Sequence, residues 1–355
     1  MGGVETHCEE LLRRISCIGP QIAITALARS AYTGRDRYQF GTVDVVPLPT
    51  VRHIHFEAIV STFLGILYSR SKRADLLHIH AIGPALLTPL ARLLGLKVIV
   101  THHGEDFVRE KWGPIARFAL RVGECVAMIF ADRVIAVSPT IADRLRQNYP
   151  RYSRKVIYIP NGAPDKASFD EQKSKVENFG LEKQKYILGV GRLVPEKQFH
   201  ILIDAFTKIS NLLPGIKLVI AGDADFDTPY AQNLKTRASD AIVFLGKQDR
   251  SSLAGLYRDC RCFVLPSSHE ALAIVALEAV SYGATIIASD IPANRNFKLP
   301  DEMYFPLGDS DSLSTLLLSD RIIPAKIREE MLNSFDWNLS ARKTTELYLQ
   351  FATVR

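Results

Sequence analysis

Short β-rich runs alternate with helical patterns along the whole chain, and this alternation constrains the fold more than any single motif. In the first half the runs read "QIAITALA", "VDVVPLP", "LLHIHA", "KVIVTHHG" and "RVIAVS". In the second half they read "KYILGVG", "KLVIAGD", "IVFLG", "CFVLPS" and "TIIASD". Between them lie helical stretches such as "FEAIVSTFLGILYSR", "PIARFALRVGECVAMIF", "FHILIDAFTKISNLL" and "ALEAVSYG". Strand followed by helix followed by strand predicts parallel sheets covered on both faces. Two sets of about five strands each predict two doubly wound α/β domains.

The 355 residues are enough for two domains of ordinary size. The boundary is expected where "KVIYI" runs into "PNGAPDKASFDEQKSKVENFGLEKQ", because Asn161 and Gly162 give a turn signal and a polar, charged segment follows. This places an N-terminal domain over 1–164 and a C-terminal domain over 165–340.

A hydrophobic content of 47% against 23% charged residues fits a globular chain with substantial cores. The five cysteines are scattered without metal-ligand or CxxC spacing, which reads as reduced thiols in a cytoplasmic protein. The apolar runs are too short to span a bilayer, and Arg92 interrupts "ALLTPLARLLGLKVIV". A net charge of +6 suits an anionic ligand or membrane surface. It is too diffuse for nucleic acid, and no aromatic–basic interleaving or zinc finger supports that class.

In open α/β sheets, ligands sit beyond the C-terminal strand ends. At one such end "CFVLPSSHEALAIVALEAVSYG" carries Glu270 and Glu278 around a helix expected to start near Leu272. The N–H groups of that first turn form a ready anion site. Eight residues of helix rise roughly 12 Å, about the length of a diphosphate and a ribose. Spacing alone favours two surface glutamates on an ordinary helix, one of them near the positive end of the dipole. A second cluster shifts the balance: "YILGVGRLVPEKQFHILIDAF" puts Arg192 and Lys197 directly after a strand. A guanidinium fork and an ammonium both suit a diphosphate. "GVGRLV" also suggests a dinucleotide fingerprint, but Val194 stands where the third glycine belongs, which weakens a hydride-transfer reading.

"GRLVPEK", "IPNG", "HEALAIVALEAVSYGATIIASD" and the opening "GGVETH", in that combination, resemble the retaining glycosyltransferases of family 4, which have the GT-B fold. "THHGEDFVREKWGPIA" further resembles a bacterial subgroup linked to surface-polysaccharide assembly. The resemblance implies two Rossmann-like domains facing a cleft. It also implies that "FDWNLSARKTTELYLQF" precedes a helix, about 341–355, that packs back on the first domain.

Carried over by residue, it implies that Arg192 and Lys197 hold the donor diphosphate and stabilise it as leaving group. Glu270 contacts the donor sugar and Glu278 the ribose, while backbone amides near Ala273 and Ile274 cradle phosphate. In the first domain the turn of Gly2 and Gly3 approaches donor phosphate or acceptor, and His103 lines the reaction centre with Asp106. The acceptor hydroxyl attacks on the face the diphosphate leaves, with a leaving-phosphate oxygen taking its proton. The expected partners are a nucleotide-sugar donor, a glycan or lipid-linked acceptor and a peripheral membrane contact on the cytoplasmic side. No metal and no cofactor are expected.

Three positions depart from the pattern. Ala271 and Ala273 stand where the family has glycine, and glycine or proline; Gln198 replaces a common glycine after the lysine. Added Cβ atoms resist positive φ, which opens a rival reading as a catalytically impaired nucleotide-sugar-binding protein.

The remaining candidates have plainer explanations. His78 and His80 share one face of a strand and could in principle ligate a metal, but without supporting spacing they read as structural histidines. Arg109, Lys111 and Trp112 suit either an acceptor contact or a solvated rim. "FEAIVSTFLGILYSRSKR" suits a buried helix better than a membrane-docking one. Finally, "MGGVETHCEELLRRI" reads as the turn and helix of a βα unit whose strand is missing. In this fold that strand lies between "QIAITALA" and "LLHIHA", so the sequence is expected to be an N-terminally shortened version.

Overall fold

The computed structural model describes residues 3–34, 36–51, 57–108, 112–164, 176–224 and 228–351. Contacts divide the chain into two units, Met1–Asn161 with Trp337–Arg355, and Gly162–Asp336.

The first unit holds seven strands among its described residues: β1 (Thr25–Arg29), β2 (Tyr38–Phe40), β3 (Val43–Leu48), β4 (Leu76–His80), β5 (Lys97–His102), β6 (Arg133–Ala136) and β7 (Val156–Tyr158). They form two sheets, ordered β1-β3-β2 and β4-β5-β6-β7. All pairs are parallel except β2–β3. β1 and β4 are each the terminal strand of their sheet. Val98, Ile99 and Val100 of β5 are fully buried, as a parallel strand covered on both faces requires.

β2 was not anticipated. It pairs Phe40 with Val43 across a two-residue hairpin. Gly41 there has φ 61°, a conformation for which glycine is the default residue. The first helix, Gly3–Ile18, buries Leu11 and Ile15 against Ala341 of the closing helix Trp337–Leu349. The Glu57–Ser71 helix buries Gly65, Ile66 and Ser69 while Phe63 and Leu67 remain exposed, so it is half-buried rather than wholly internal.

Among its described residues the second unit has one six-stranded sheet: β8 (Tyr186–Val190), β9 (Lys217–Ala221), β10 (Ile242–Gly246), β11 (Cys262–Leu265), β12 (Ile286–Ser289) and β13 (Tyr304–Phe305). Its order is β10-β9-β8-β11-β12-β13, all parallel. Alternate residues feed two cores. Tyr186, Leu188, Phe263 and Ile286 face one, and Ile187, Leu218, Val264 and Ile287 face the other. Helix starts follow local chemistry where a cap exists: Asp249 accepts the Ser252 N–H at 2.7 Å and Ser138 that of Ile141 at 3.3 Å. All five cysteines are free thiols. Among the described residues no helix is long and apolar enough to cross a membrane.

Candidate functional site

In the second unit the candidate residues gather at the C-terminal ends of β8 and β11. Beyond β8 the chain passes Arg192, makes the short Pro195–Lys197 turn and enters the Phe199–Ile209 helix through Gln198. Beyond β11 the loop from Pro266 to Ala273 leads into the Ile274–Ser281 helix. The two loops are stitched together, because the Ser268 N–H donates to the Glu196 carbonyl at 2.8 Å. A buried network holds the second loop from below. Ser289 Oγ donates to the Ser267 carbonyl at 2.5 Å, and Asn294 Nδ2 donates to Ser289 at 3.0 Å.

The outcome is a contact between two expected site residues 73 positions apart. The Lys197 ammonium lies 2.5 Å from Glu270 Oε1, which also accepts from Ser267 Oγ at 2.7 Å. Both side chains are largely buried, with 17% and 11% exposure. The neighbouring turn is equally tight. A Cβ on Gly222, at φ 132°, would fall 1.9 Å from the Gly191 carbonyl oxygen, so only glycine lets these strand ends approach beside Arg192.

The helix after the loop begins at Ile274, two residues later than expected. Glu270 therefore sits in the loop, and the roughly 12 Å spacing drawn from a continuous helix does not apply. Ala273 at the N-cap supplies no side-chain acceptor, leaving that role to another partner. Its φ is −72°, and neither it nor Ala271 has positive φ. Alanine is thus unstrained at both departures. Gln198 is different: at φ 47° and ψ 37° it occupies the left-handed region that glycine would fill freely.

Glu278 lies on the same helix and accepts a hydrogen bond from Tyr257 Oη at 3.1 Å. Tyr257 is fully buried; burial first, then the Glu278 charge, pushes its phenol well above the ordinary value. It remains a donor, so it fixes the carboxylate. Sequence reasoning missed Tyr257, which sits in the last turn of the Arg250–Asp259 helix and carries no motif.

In the first unit, Gly3 is the first residue of the opening helix rather than part of a turn, because the helical hydrogen bonding already starts there; Gly2 lies outside the described residues. Asp106 opens a short turn after β5, its N–H bound to the Gly104 carbonyl at 3.0 Å. Arg109 and Lys111 lie outside the described residues.

His103 has an unexpected setting. Its Nε2 lies 3.0 Å from His80 Nδ1, and its ring stands edge-on to His7 at 4.6 Å between centroids. His7 Nδ1 is 2.7 Å from Asn161 Oδ1. His78 turns to other partners, Tyr348 Oη at 2.6 Å and Thr101 Oγ1 at 2.7 Å. The two rings nevertheless share a face as expected, stacked at 4.3 Å between centroids, while His80 also groups with residues distant in sequence. Burial lowers the pKa of His7 to about 4 and of His78 to about 3, and holds His80 and His103 well below the ordinary value. These imidazoles are neutral near pH 7. His102 points away, donating to Glu124 Oε2 at 2.8 Å; Arg144 completes a partly buried ion pair with that carboxylate at 2.5 Å.

Two sequence profiles span most of the chain. "Glycosyltransferase Family 4" matches residues 1–166 and "Glycosyl transferases group 1" matches residues 170–314. The chain belongs to glycosyltransferase family 4. This glycosyltransferase is 24% identical to a phosphatidyl-myo-inositol mannosyltransferase of Mycobacterium leprae, over 99% of this chain and 94% of that protein. It is 28% identical to the uncharacterized glycosyltransferase YqgM of Bacillus subtilis, over 64% of this chain and 62% of that protein. Its GT-B fold is shared with a sucrose-phosphate synthase from Thermosynechococcus elongatus, at TM-score 0.81 and 20% identity, covering 98% and 93% of the two chains. HepE of Anabaena, solved in complex with UDP-glucose, superposes at TM-score 0.78 and 18% identity, covering 99% and 96%.

Proposed function

We propose that this glycosyltransferase moves a sugar from a nucleotide-sugar donor to a hydroxyl of a glycan or lipid-linked acceptor, with retention of anomeric configuration, in polysaccharide or glycolipid assembly. The observation that carries the reading is the meeting of Lys197 and Glu270 beside the helix N-terminus at Ile274. A cation, an acceptor for sugar hydroxyls and unpaired N–H dipoles side by side suit a sugar joined to a diphosphate.

In this reading Arg192 and Lys197 neutralise the diphosphate as it leaves, and the N–H groups near Ala273 and Ile274 take its oxygens. Before donor binds, Lys197 is paired with Glu270; arrival of the diphosphate draws the ammonium towards it and releases Glu270 to the sugar hydroxyls. Glu278, held by Tyr257, takes the ribose. His103 and Asp106 contact the donor sugar, and His103, being neutral, can accept or donate a hydrogen bond without adding charge. The two cations supply the charge neutralisation that other transferases draw from a divalent metal, so transfer proceeds without one.

HepE, which binds UDP-glucose by its title, supports a nucleotide-sugar donor, and the mannosyltransferase likeness supports a lipid-linked acceptor. The exposed Ile115 and Phe118 at the start of the Pro114–Phe130 helix, with a net charge of +6, support peripheral contact with an anionic membrane. The rival reading as an impaired binder loses one of its supports, since Ala271 and Ala273 carry no positive φ.

The test is a transfer assay over a panel of nucleotide-sugars and lipid-linked glycans in the presence of EDTA, with the product anomer read by NMR. Retained anomeric configuration and turnover without metal are expected. Inversion, loss of turnover restored by Mn²⁺ or Mg²⁺, or donor binding without turnover over the whole panel would each overturn part of the proposal.

A further inference from the structure

His7, His80 and His103 come from a helix and the ends of two strands, yet each places one ring nitrogen within 4.8 Å of the other two. His80 Nδ1 and His103 Nε2 are 3.0 Å apart. Two nitrogens bound to one tetrahedral zinc, at bonds of roughly 2.0–2.1 Å, sit about 3.3 Å apart. That pair is already close to a ligating separation.

His7 supplies the second, independent observation. The Asn161 amide oxygen can only accept, so its 2.7 Å contact with His7 fixes the proton on Nδ1. Nε2 therefore carries a lone pair. The His7 residue is only 3% exposed, and this nitrogen has no hydrogen-bond partner. An acceptor buried without a donor is destabilising, so an occupant that takes the lone pair would relieve it. A histidine that gives its other N–H to a carbonyl oxygen is also the usual arrangement behind a metal-bound imidazole.

From these contacts we propose that His7, His80 and His103 form a binding site for a borderline transition cation such as Zn²⁺ or Co²⁺. Three neutral imidazoles suit that class rather than Mg²⁺ or Ca²⁺, which prefer oxygen. His80 and His103 are only partly buried, leaving a route of entry and a fourth position for water. When the ion binds, the ring now donating in the His80–His103 hydrogen bond moves its proton to its other nitrogen, and both lone pairs turn to the metal. The occupied site also engages His103, so the ion should inhibit transfer; that consequence rests on the proposed function, whereas binding does not.

The full-length chain, stripped with EDTA and then dialysed, is titrated with Co²⁺ and followed by visible absorption. One saturable equivalent with the intense bands of a tetrahedral, nitrogen-ligated ion is expected. His7→Gln and His80→Gln should each weaken binding at least 100-fold, and Asn161→Ala about 10–100-fold by loosening the His7 tautomer. His78→Gln should keep the band, and thermal melts check that every variant is folded. Absence of a saturable band in the wild-type chain would overturn the site. So would a band that survives in both folded ligand variants, or one that vanishes in folded His78→Gln. Inhibition is read separately, so failure of the transfer reaction leaves the binding result intact.

Discussion

Replacing Gln198 with glycine should stabilise the second unit. Gln198 sits at φ 47° and ψ 37° between the Pro195–Lys197 turn and the following helix. The left-handed conformation costs an L residue roughly 1–2 kcal/mol. Its side-chain Oε1 is buried without a hydrogen-bond partner, which adds a penalty of up to about 1–3 kcal/mol. Glycine removes both, but an unfolded chain with glycine has more freedom to lose, about 0.5–1 kcal/mol. The net gain is about 1–4 kcal/mol, and in a unit of this size each kcal/mol raises Tm by roughly 2–4 °C. Scanning calorimetry of wild type, Gln198→Gly and Gln198→Ala separates the contributions, because alanine deletes the amide yet keeps the backbone strain. Glycine should melt highest and alanine should recover only part of the gain. A glycine variant melting at or below wild type, or an alanine variant matching it, would refute the reasoning that the backbone is strained there.

Lys197→Ala should lower kcat by removing charge from the departing diphosphate, whereas Glu278→Ala should raise the donor KM by removing ribose hydrogen bonds; steady-state kinetics at wild-type values in both would end the donor-site assignment. Tyr257→Phe deletes the 3.1 Å hydrogen bond to Glu278 and should raise donor KM with kcat nearly unchanged. A bond to a charged group is worth about 1.5–3 kcal/mol, so roughly tenfold or more is expected. Acid stability should depend on Glu124. Burial alone would raise its pKa, but hydrogen bonds from His102 and Arg144 outweigh it and hold the value at about 2, below the usual 4.5. A depressed carboxylate contributes stability that is complete above the unfolded value and is lost as pH falls from about 4.5 towards about 2. Denaturant melts of wild type and Glu124→Gln across that window should show the wild type losing stability more steeply, and parallel curves would count against the network.

The strands were legible because a parallel strand buried on both faces must be apolar at successive positions, and "KVIV", "YILGV" and "KLVIA" are. The two that escaped, β2 and β13, are three and two residues long, too short for any period to register. A Gly41-Thr42 pair between β-rich residues was the available hairpin signal. Helix boundaries followed the same logic. Asp249 announces its helix, but Ala273 has no side chain with which to announce one, so the start near Leu272 was two residues early.

The site was legible to the extent that it is built from strand ends. Arg192, Lys197 and Glu270 each follow a strand, and the parallel pairing of β8 with β11 brings those ends together, which is why Lys197 and Glu270 meet across 73 positions. The same rule explains the histidines. β4 pairs with β5 in parallel, His80 opposite Thr101, so the last residue of one strand and His103 just beyond the other are neighbours by register. Pairing His80 with His78 used the periodicity within a strand; pairing it with His103 needed the order of strands in the sheet. His7 needed one step more, because it reaches the group from a helix that packs on the closing helix, and that packing follows from the tertiary fold rather than from any local pattern. Tyr257 belongs to the same class, since its hydroxyl meets Glu278 only where two helices lie side by side. Residues that reach a site along a strand can thus be found from sequence, whereas those that reach it from the flank of a helix await the packing.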